Sequence, residues 1–482
     1  MNPRPDSGRP ARGWRNRDHT RGSLLMSLCV LALPLVATSL AGVVFQLVDL
    51  GLISRLGEDA TTAIIVSNQS LRQIVLVLAM GASFGAQGLV SQFVGSGRVD
   101  AAEHVAGQVV LLGGVFSVAI AGLGVWLPEV LLGWLNVAPD VMDIGVGYVR
   151  LSLGLNLGFV FLILFGAILN GAGDTTTPLV VSLVQTVLSL AAEWILIFGN
   201  FGFPALGVEG AALGLAVGQI AAGGVALWVL FRGRSRVHLR WRHLRPDPAV
   251  FAKISSLAWP PALQMMGGFA VTAYFIRMMG SFGETAQAAY SIGLRLSMIG
   301  PMLAFPIAGA AATLVGQNLG AGNVRRAWRS IFVTLCVHAP LLWVLALVGY
   351  VFRIEIMQAF SSDPGVVALG GELLAYQAAS FFFLGINFVL FRALQGAGDV
   401  MVPMWMSLAN ALLITLTLGL WLTRGLQMGP TGIFIANLAG AATATLFLAA
   451  WTATGRWTHA VPRPLAIGTP PSAESGRHPP GS

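Results

Sequence analysis

Long apolar runs separated by short polar breaks dominate this chain. A helix that crosses a bilayer needs about 20 mostly apolar residues, and runs of that length recur from residue 24 to residue 453. They predict twelve spanning helices, at 24–54, 60–93, 104–126, 145–169, 177–200, 207–231, 252–280, 286–316, 328–352, 369–395, 401–423 and 429–453. The longer runs exceed the bilayer thickness, so those helices tilt, kink or project from it.

The polar breaks repeat. Leu31-Ala32-Leu33-Pro34 returns as Leu257-Ala258-Trp259-Pro260, and Gly57-Glu58 as Gly283-Glu284, both 226 residues on. Gln92-x-x-Gly95-x-Gly97 returns as Gln317-x-x-Gly320-x-Gly322, 225 residues on. At the same offset Asn170-Gly171-Ala172-Gly173-Asp174 with Pro178 returns as Gln395-Gly396-Ala397-Gly398-Asp399 with Pro403. Gly207-x-x-Gly210 recurs as Gly429-x-x-Gly432. Ordered matches at near-constant spacing mark a duplication. Six spans per copy is an even number, so both copies enter the membrane in the same orientation. The predicted fold is therefore an all-α membrane protein, twelve transmembrane helices in two pseudo-twofold-related six-helix lobes. A cavity between such lobes is the architecture of alternating-access transporters.

Composition agrees: 55% of residues are hydrophobic and 10% charged, far from a soluble average. The net charge of +8 raises the question of nucleic acid, and its distribution answers it. With the N-terminus inside, 21 of the 28 basic residues fall on the cytoplasmic side, Arg392 at a helix end among them, and five on the other. That is the positive-inside pattern, with both termini cytoplasmic in a bacterial inner membrane. Five segments follow: a disordered tail at 1–23, an N-lobe at 24–231, a basic linker at 232–251, a C-lobe at 252–455 and a disordered tail at 456–482. Cys29 and Cys336 lie in different apolar spans and suggest no disulfide. The first apolar run is too long for a cleaved signal and reads as a retained helix.

Ionisable groups in hydrocarbon are costly, and they are functional candidates by default. Of the 20 acidic residues, eighteen fall in tails, loops or helix ends; Asp49 and Glu193 do not, and both belong to the first copy, with Phe275 at the position matching Asp49. Ser39, Gly42 and Gln46 lead up to Asp49 at helical spacing, as Ser182, Gln185 and Ser189 lead up to Glu193. Such stripes belong inside the bundle, because lipid cannot satisfy them. The pair reads either as a helix-binding strut or as a carboxylate site that loads and releases a proton. Arg72 and Arg295 are the charge partners to weigh, with Arg72 about ten Å deeper than Asp49 by helix rise. Pro34 interrupts helix 1 and predicts a hinge. His338, a lone histidine in helix 9, reads as structural. There is no Walker lysine and no HExxH sequence, so an ATPase and a zinc protease lack their motifs. No cofactor and no metal site is expected.

These residues together identify a likeness. The chain resembles the multidrug and toxic compound extrusion (MATE) transporters, particularly their bacterial DinF-like branch, over about residues 24–455. The carriers are Pro34 with Asp49, Val90-Ser91-Gln92-Phe93-Val94-Gly95, and Leu169-Asn170-Gly171-Ala172-Gly173-Asp174. Val315-Gly316-Gln317-Asn318-Leu319-Gly320-Ala321-Gly322 and Leu394-Gln395-Gly396-Ala397-Gly398-Asp399 complete them. The resemblance implies export of cationic or amphipathic organic compounds in exchange for protons or sodium ions. It places the coupling site in the N-lobe, on helices 1 and 5, where Asp49 matches the family's aspartate. The family's Asn-x-x-x-Asp of helix 5 here reads Ser189-x-x-x-Glu193, and its helix 6 hydroxyl aligns with Leu215. Losing those oxygen ligands disfavours sodium and leaves protonation intact.

The expectation is a monomeric drug/proton antiporter that couples through Asp49, Glu193 and Ser189. Gln46, Asn156, Asn387, Met265, Phe381 and Phe382 are the candidate cavity residues. Sodium-coupled efflux is the alternative, as is a flippase for a lipid-linked precursor, which needs a cationic cavity.

Overall fold

The computed structural model describes residues 18–135, 139–233 and 235–459, so most of both tails, 1–17 and 460–482, lies outside the described residues. The first lobe comprises α1 (Leu24–Ile53), α2 (Glu58–Gly95), α3 (Val99–Trp126), α4 (Val141–Gly154 with Leu157–Ala172), α5 (Thr176–Phe198) and α6 (Gly207–Phe231). The second comprises α7 (Pro248–Gly280), α8 (Glu284–Gly320), α9 (Val324–Val351), α10 (Pro364–Gly396), α11 (Met401–Gly425) and α12 (Pro430–Ala453). Ten of these are individually long and apolar enough to cross a membrane, and α4 joins them as a span bent by 42°. The remaining one, α7, is 33 residues long but less apolar. The twelve-helix reading is consistent with this set.

Local chemistry sets where the helices begin. Asp247 caps α7 by accepting from the Ala249 and Val250 N–H groups at 3.0 and 3.3 Å. Asp363 does the same for α10 with Gly365 and Val366. In both, proline follows the cap, where its missing N–H costs nothing. The duplication extends to backbone angles: φ is +75° at Gly97 and +73° at Gly322, and +88° at Gly173 and +84° at Gly398.

The repeated motifs do more than turn the chain. They seal the lobes together at the Arg-rich end. Gln92 Nε2 donates to the Gly396 carbonyl at 2.9 Å, and Gln317 Nε2 donates to Gly171 at 3.0 Å. These are the same bond seen from each lobe. Gly95 lies against the Gln317 backbone and Gly320 against the Gln92 backbone, so closely that neither position has room for a Cβ.

Two expectations of disorder need correcting, and the linker between the lobes has a definite place. The tail at 1–23 is ordered from Asp18, and His19 is buried beside Gly173 of the seal. The 232–251 linker is docked rather than free. Val237, Leu239 and His243 are buried, and Gln108 of α3 donates to the His243 and Arg245 carbonyls at 2.9 and 2.7 Å. The start of the C-terminal tail forms a short helix, Arg456–His459, with Trp457 buried edge-on to Trp328. In each case buried side chains offset the entropy of ordering the segment.

Candidate functional site

Asp49, Glu193, Arg72, Tyr148 and Asn68 gather inside the first lobe. Glu193 is fully buried because α5 and α6 touch there: a Cβ on Gly214 would lie 2.7 Å from the Glu193 Cγ. One turn earlier Ser189 packs on Gly218 in the same way, and its hydroxyl donates to the Leu215 carbonyl at 3.3 Å. Small residues at a helix crossing permit this approach. Asp49 is partly buried and is the neighbour of Glu193. The Arg72 guanidinium lies close enough to act on both through space but makes no contact ion pair with either among the described residues. It sits 4.3 Å from the Phe159 ring centroid instead, at the end of a π-helical turn, Asn68–Arg72. That wide turn also presents Asn68, whose Oδ1 accepts from the buried Tyr148 hydroxyl at 3.0 Å.

Among the described residues, none donates a hydrogen bond to either Glu193 oxygen. Two ionised carboxylates offer only acceptors to each other. A buried pair of this kind is satisfied when it holds a proton between its oxygens or when a cation supplies the missing charge.

A cavity of about 570 Å³ lies alongside, and its walls come from both lobes. Leu35, Thr38, Ser39 and Gly42 line it from α1, and Val181, Ser182 and Gln185 from α5. The polar stripes therefore divide. Their first halves face the cavity, while Gln46 is exposed and Ser189 faces α6. Asp49 lies two helical turns, about 10 Å, beyond Gly42. The second lobe contributes Phe305 and Arg392.

The other candidate cavity residues are placed elsewhere. Asn156 is buried at the break in α4, donating to the Ser117 and Leu153 carbonyls, so it holds the bend instead of facing a ligand. Phe381 lines a separate small pocket of the second lobe with Gln377. Phe382 is exposed and stacks on Trp343 with ring centroids 4.8 Å apart. Met265 and Asn387 are half-buried and outside the cavity lining, and Arg295 is exposed. His338 bonds the Gly385 and Ala304 carbonyls at 2.7 and 3.0 Å, joining α8, α9 and α10.

Arg392 corrects the charge map, for it is buried and not a solvent-side residue. The sequence signal was available: it precedes the seal motif by a full helical turn within an apolar run. The only metal-like cluster among the described residues is Asp100, Glu103 and His243, near the linker. Arg242 already donates to Asp100 and to the His243 ring there, at 2.8 and 2.9 Å.

The family model MatE matches residues 34–195 and 260–421, once in each lobe. The chain is 26% identical to a probable multidrug resistance protein, NorM, of Thermotoga maritima, over 86% of this chain and 88% of that one. It is also 26% identical to the multidrug resistance protein PmpM of Pseudomonas aeruginosa, over 87% and 89%. Among solved structures, one described as an outward-facing multidrug resistance MATE transporter of the MOP superfamily superposes with a TM-score of 0.83. That match has 17% identity and covers 92% of this chain and 98% of the other.

Proposed function

Because the chain belongs to the MatE family, we propose that it is a multidrug efflux transporter of the DinF-like branch, a secondary antiporter that exports amphipathic organic compounds in exchange for protons. The observation that carries the coupling is the Asp49–Glu193 pair, side by side, with Glu193 fully buried and without a donor among the described residues. A proton arriving from outside satisfies the pair; its release to the cytoplasm leaves two ionised groups that Arg72 screens. Sodium needs several oxygen ligands, and here the Ser189 hydroxyl is turned to the α6 backbone.

The movement that links this site to the cavity runs through α1. Its first third is fixed to the other lobe, with Leu28, Leu31 and Ala32 packed on Ile307, Ala310 and Leu314. Pro34 follows, removing one backbone hydrogen bond, and Asp49 sits on the far side of it. Protonation at Asp49 thus acts on the half of α1 that is free to tilt, reshaping a cavity which that half lines. The sealed Arg-rich end supports an alternating-access cycle, with the seal opening in the cytoplasm-facing state. The basic residues around it support cytoplasmic termini in the inner membrane.

Dye uptake into proteoliposomes tests this under separately imposed proton and sodium gradients. Uptake driven by the proton gradient and lost in Asp49→Asn is expected. Uptake driven only by sodium would replace the proton with sodium in this scheme.

A further inference from the structure

The cavity holds one formal charge, and it is positive. Among its lining residues there is no carboxylate; Arg392 is the sole ionisable group. Arg392 is 3% exposed, and no acidic side chain pairs with it among the described residues. Its partners are neutral. One terminal nitrogen donates to Gln87 Oε1 of α2 and the other to Gln395 Oε1 of α10, while Nε has no acceptor among the described residues. Phe84 and Phe305 flank the guanidinium with ring centroids at 4.2 and 5.3 Å. The Asn170 side-chain oxygen, on the same wall, is likewise buried without a partner among the described residues.

A buried guanidinium with spare donors, no counter-ion and an apolar chamber in front of it is a receptor for an anionic oxygen group. A compound whose only charge is positive gains nothing from this wall and meets repulsion. One cation balances one negative charge, so a pyrophosphate is a poor match. A single carboxylate on an aromatic or aliphatic body matches both the charge and the apolar lining.

We propose that Arg392, held by Gln87 and Gln395, binds the carboxylate of zwitterionic or monoanionic amphipathic substrates, and that this is the substrate class the cavity selects. The proposal rests on the transporter reading above. It also deepens that reading, since Arg392 and the Asp49–Glu193 pair are separate sites with opposite charge.

The test uses two fluorescent probes on one scaffold, a zwitterionic rhodamine with a free carboxylate and its cationic methyl ester. Binding is followed by fluorescence anisotropy with the full chain in nanodiscs, and transport in proteoliposomes. Wild-type protein should bind the carboxylate probe about ten-fold or more tightly than the ester, the scale of one charge-assisted hydrogen bond. Arg392→Gln should erase that preference by weakening the carboxylate probe alone, and Arg392→Lys should restore part of it. Equal binding of both probes by the wild type, binding of neither, or an equal loss of both in Arg392→Gln would overturn the proposal. The last result would make Arg392 a strut between lobes. The wild-type preference stands as a readout even if Arg392→Gln does not fold. A clear binding preference without gradient-driven transport would sink the antiporter reading and leave the anion site in place.

Discussion

In the first lobe Glu193 of α5 packs beside Gly214 of α6 and neighbours Asp49 of α1. At the matching positions, 226 residues on for Asp49 and Glu193 and 222 on for Gly214, Gly419 of α11 packs beside Ala436 of α12, and the ring of Phe275 of α7 closes over it. A Cβ on Gly419 would lie 2.9 Å from that ring. The turn before repeats the theme, with Ser189 against Gly218 in one lobe and Thr415 against Gly440 in the other. Asn68 and Tyr148 border the acidic pocket, whereas Phe275, Leu294 and Leu373 share one apolar cluster in the second lobe. The helix crossings have been kept, since they depend on small residues at fixed points. Their contents have not. At this crossing one lobe encloses a carboxylate with no donor among the described residues, and the other encloses no carboxylate.

The sharpest way to break this comparison is to remove the charge that can change. Glu193→Gln and Asp49→Asn should each reduce proton-driven dye uptake in proteoliposomes to background, while both variants stay folded. Both replacements keep the side-chain shape, and at Glu193 removing a buried acid relieves a desolvation cost. Uptake that survives in both variants would put the coupling elsewhere.

The reverse substitution is next in size. Phe275→Asp adds a carboxylate to a cluster of apolar and aromatic side chains that includes no arginine. It should destabilise the protein by about 3–5 kcal/mol, as an uncompensated buried charge does, and should confer no second coupling site. Thermal unfolding in detergent reads the first effect, and pH-jump uptake reads the second. A smaller pair of changes sharpens the same point. Gly214→Ala pushes a methyl group toward Glu193 and should cost about 1–3 kcal/mol by overpacking, with impaired uptake. Ala436→Gly, its counterpart in the apolar lobe, should cost about 1 kcal/mol and leave transport intact.

How much of this was legible beforehand depends on the kind of information. Helix number, duplication and the two acids follow from patterns along one dimension, where a charge in an apolar run stands out by itself. Gly214 and Gly218 were not legible, because a glycine in an apolar helix says nothing about which side chain it faces. Arg392 was misread for a physical reason. Counting charges by loop assumes that arginine near a span's end snorkels to water, and here two amide side chains and two rings hold it inside. Asn156 failed differently. A polar residue in a span can serve a backbone break just as well as a ligand, and the 42° bend of α4 is invisible in hydropathy.

The two lobes also differ in how their last helices are tied down, and this gives the smallest and most selective prediction. After α12 the chain is held by Trp457 against Trp328, a contact without titratable groups. After α6 the linker is held by His243 beside Glu103, with His104, Asp100, Arg240 and Arg242 around it. Burial, then the nearby Arg242, His104 and Arg240, push the His243 imidazole down to about 4. Its folded pKa lies below the ordinary histidine value, so the docked state binds it neutral. The undocked linker takes up a proton first as pH falls. The clamp's contribution is complete above about pH 6.5, declines as pH falls toward 4 and is lost below that. Between pH 7 and pH 6 the docked linker should weaken by about half a kcal/mol. Limited proteolysis around Arg240 should accelerate over that interval, and cleavage near Trp457 should not. His243→Phe, which fills the same space without a titrating group, should remove the pH dependence at the linker; persistence of that dependence would move the sensor to His104 or Glu103.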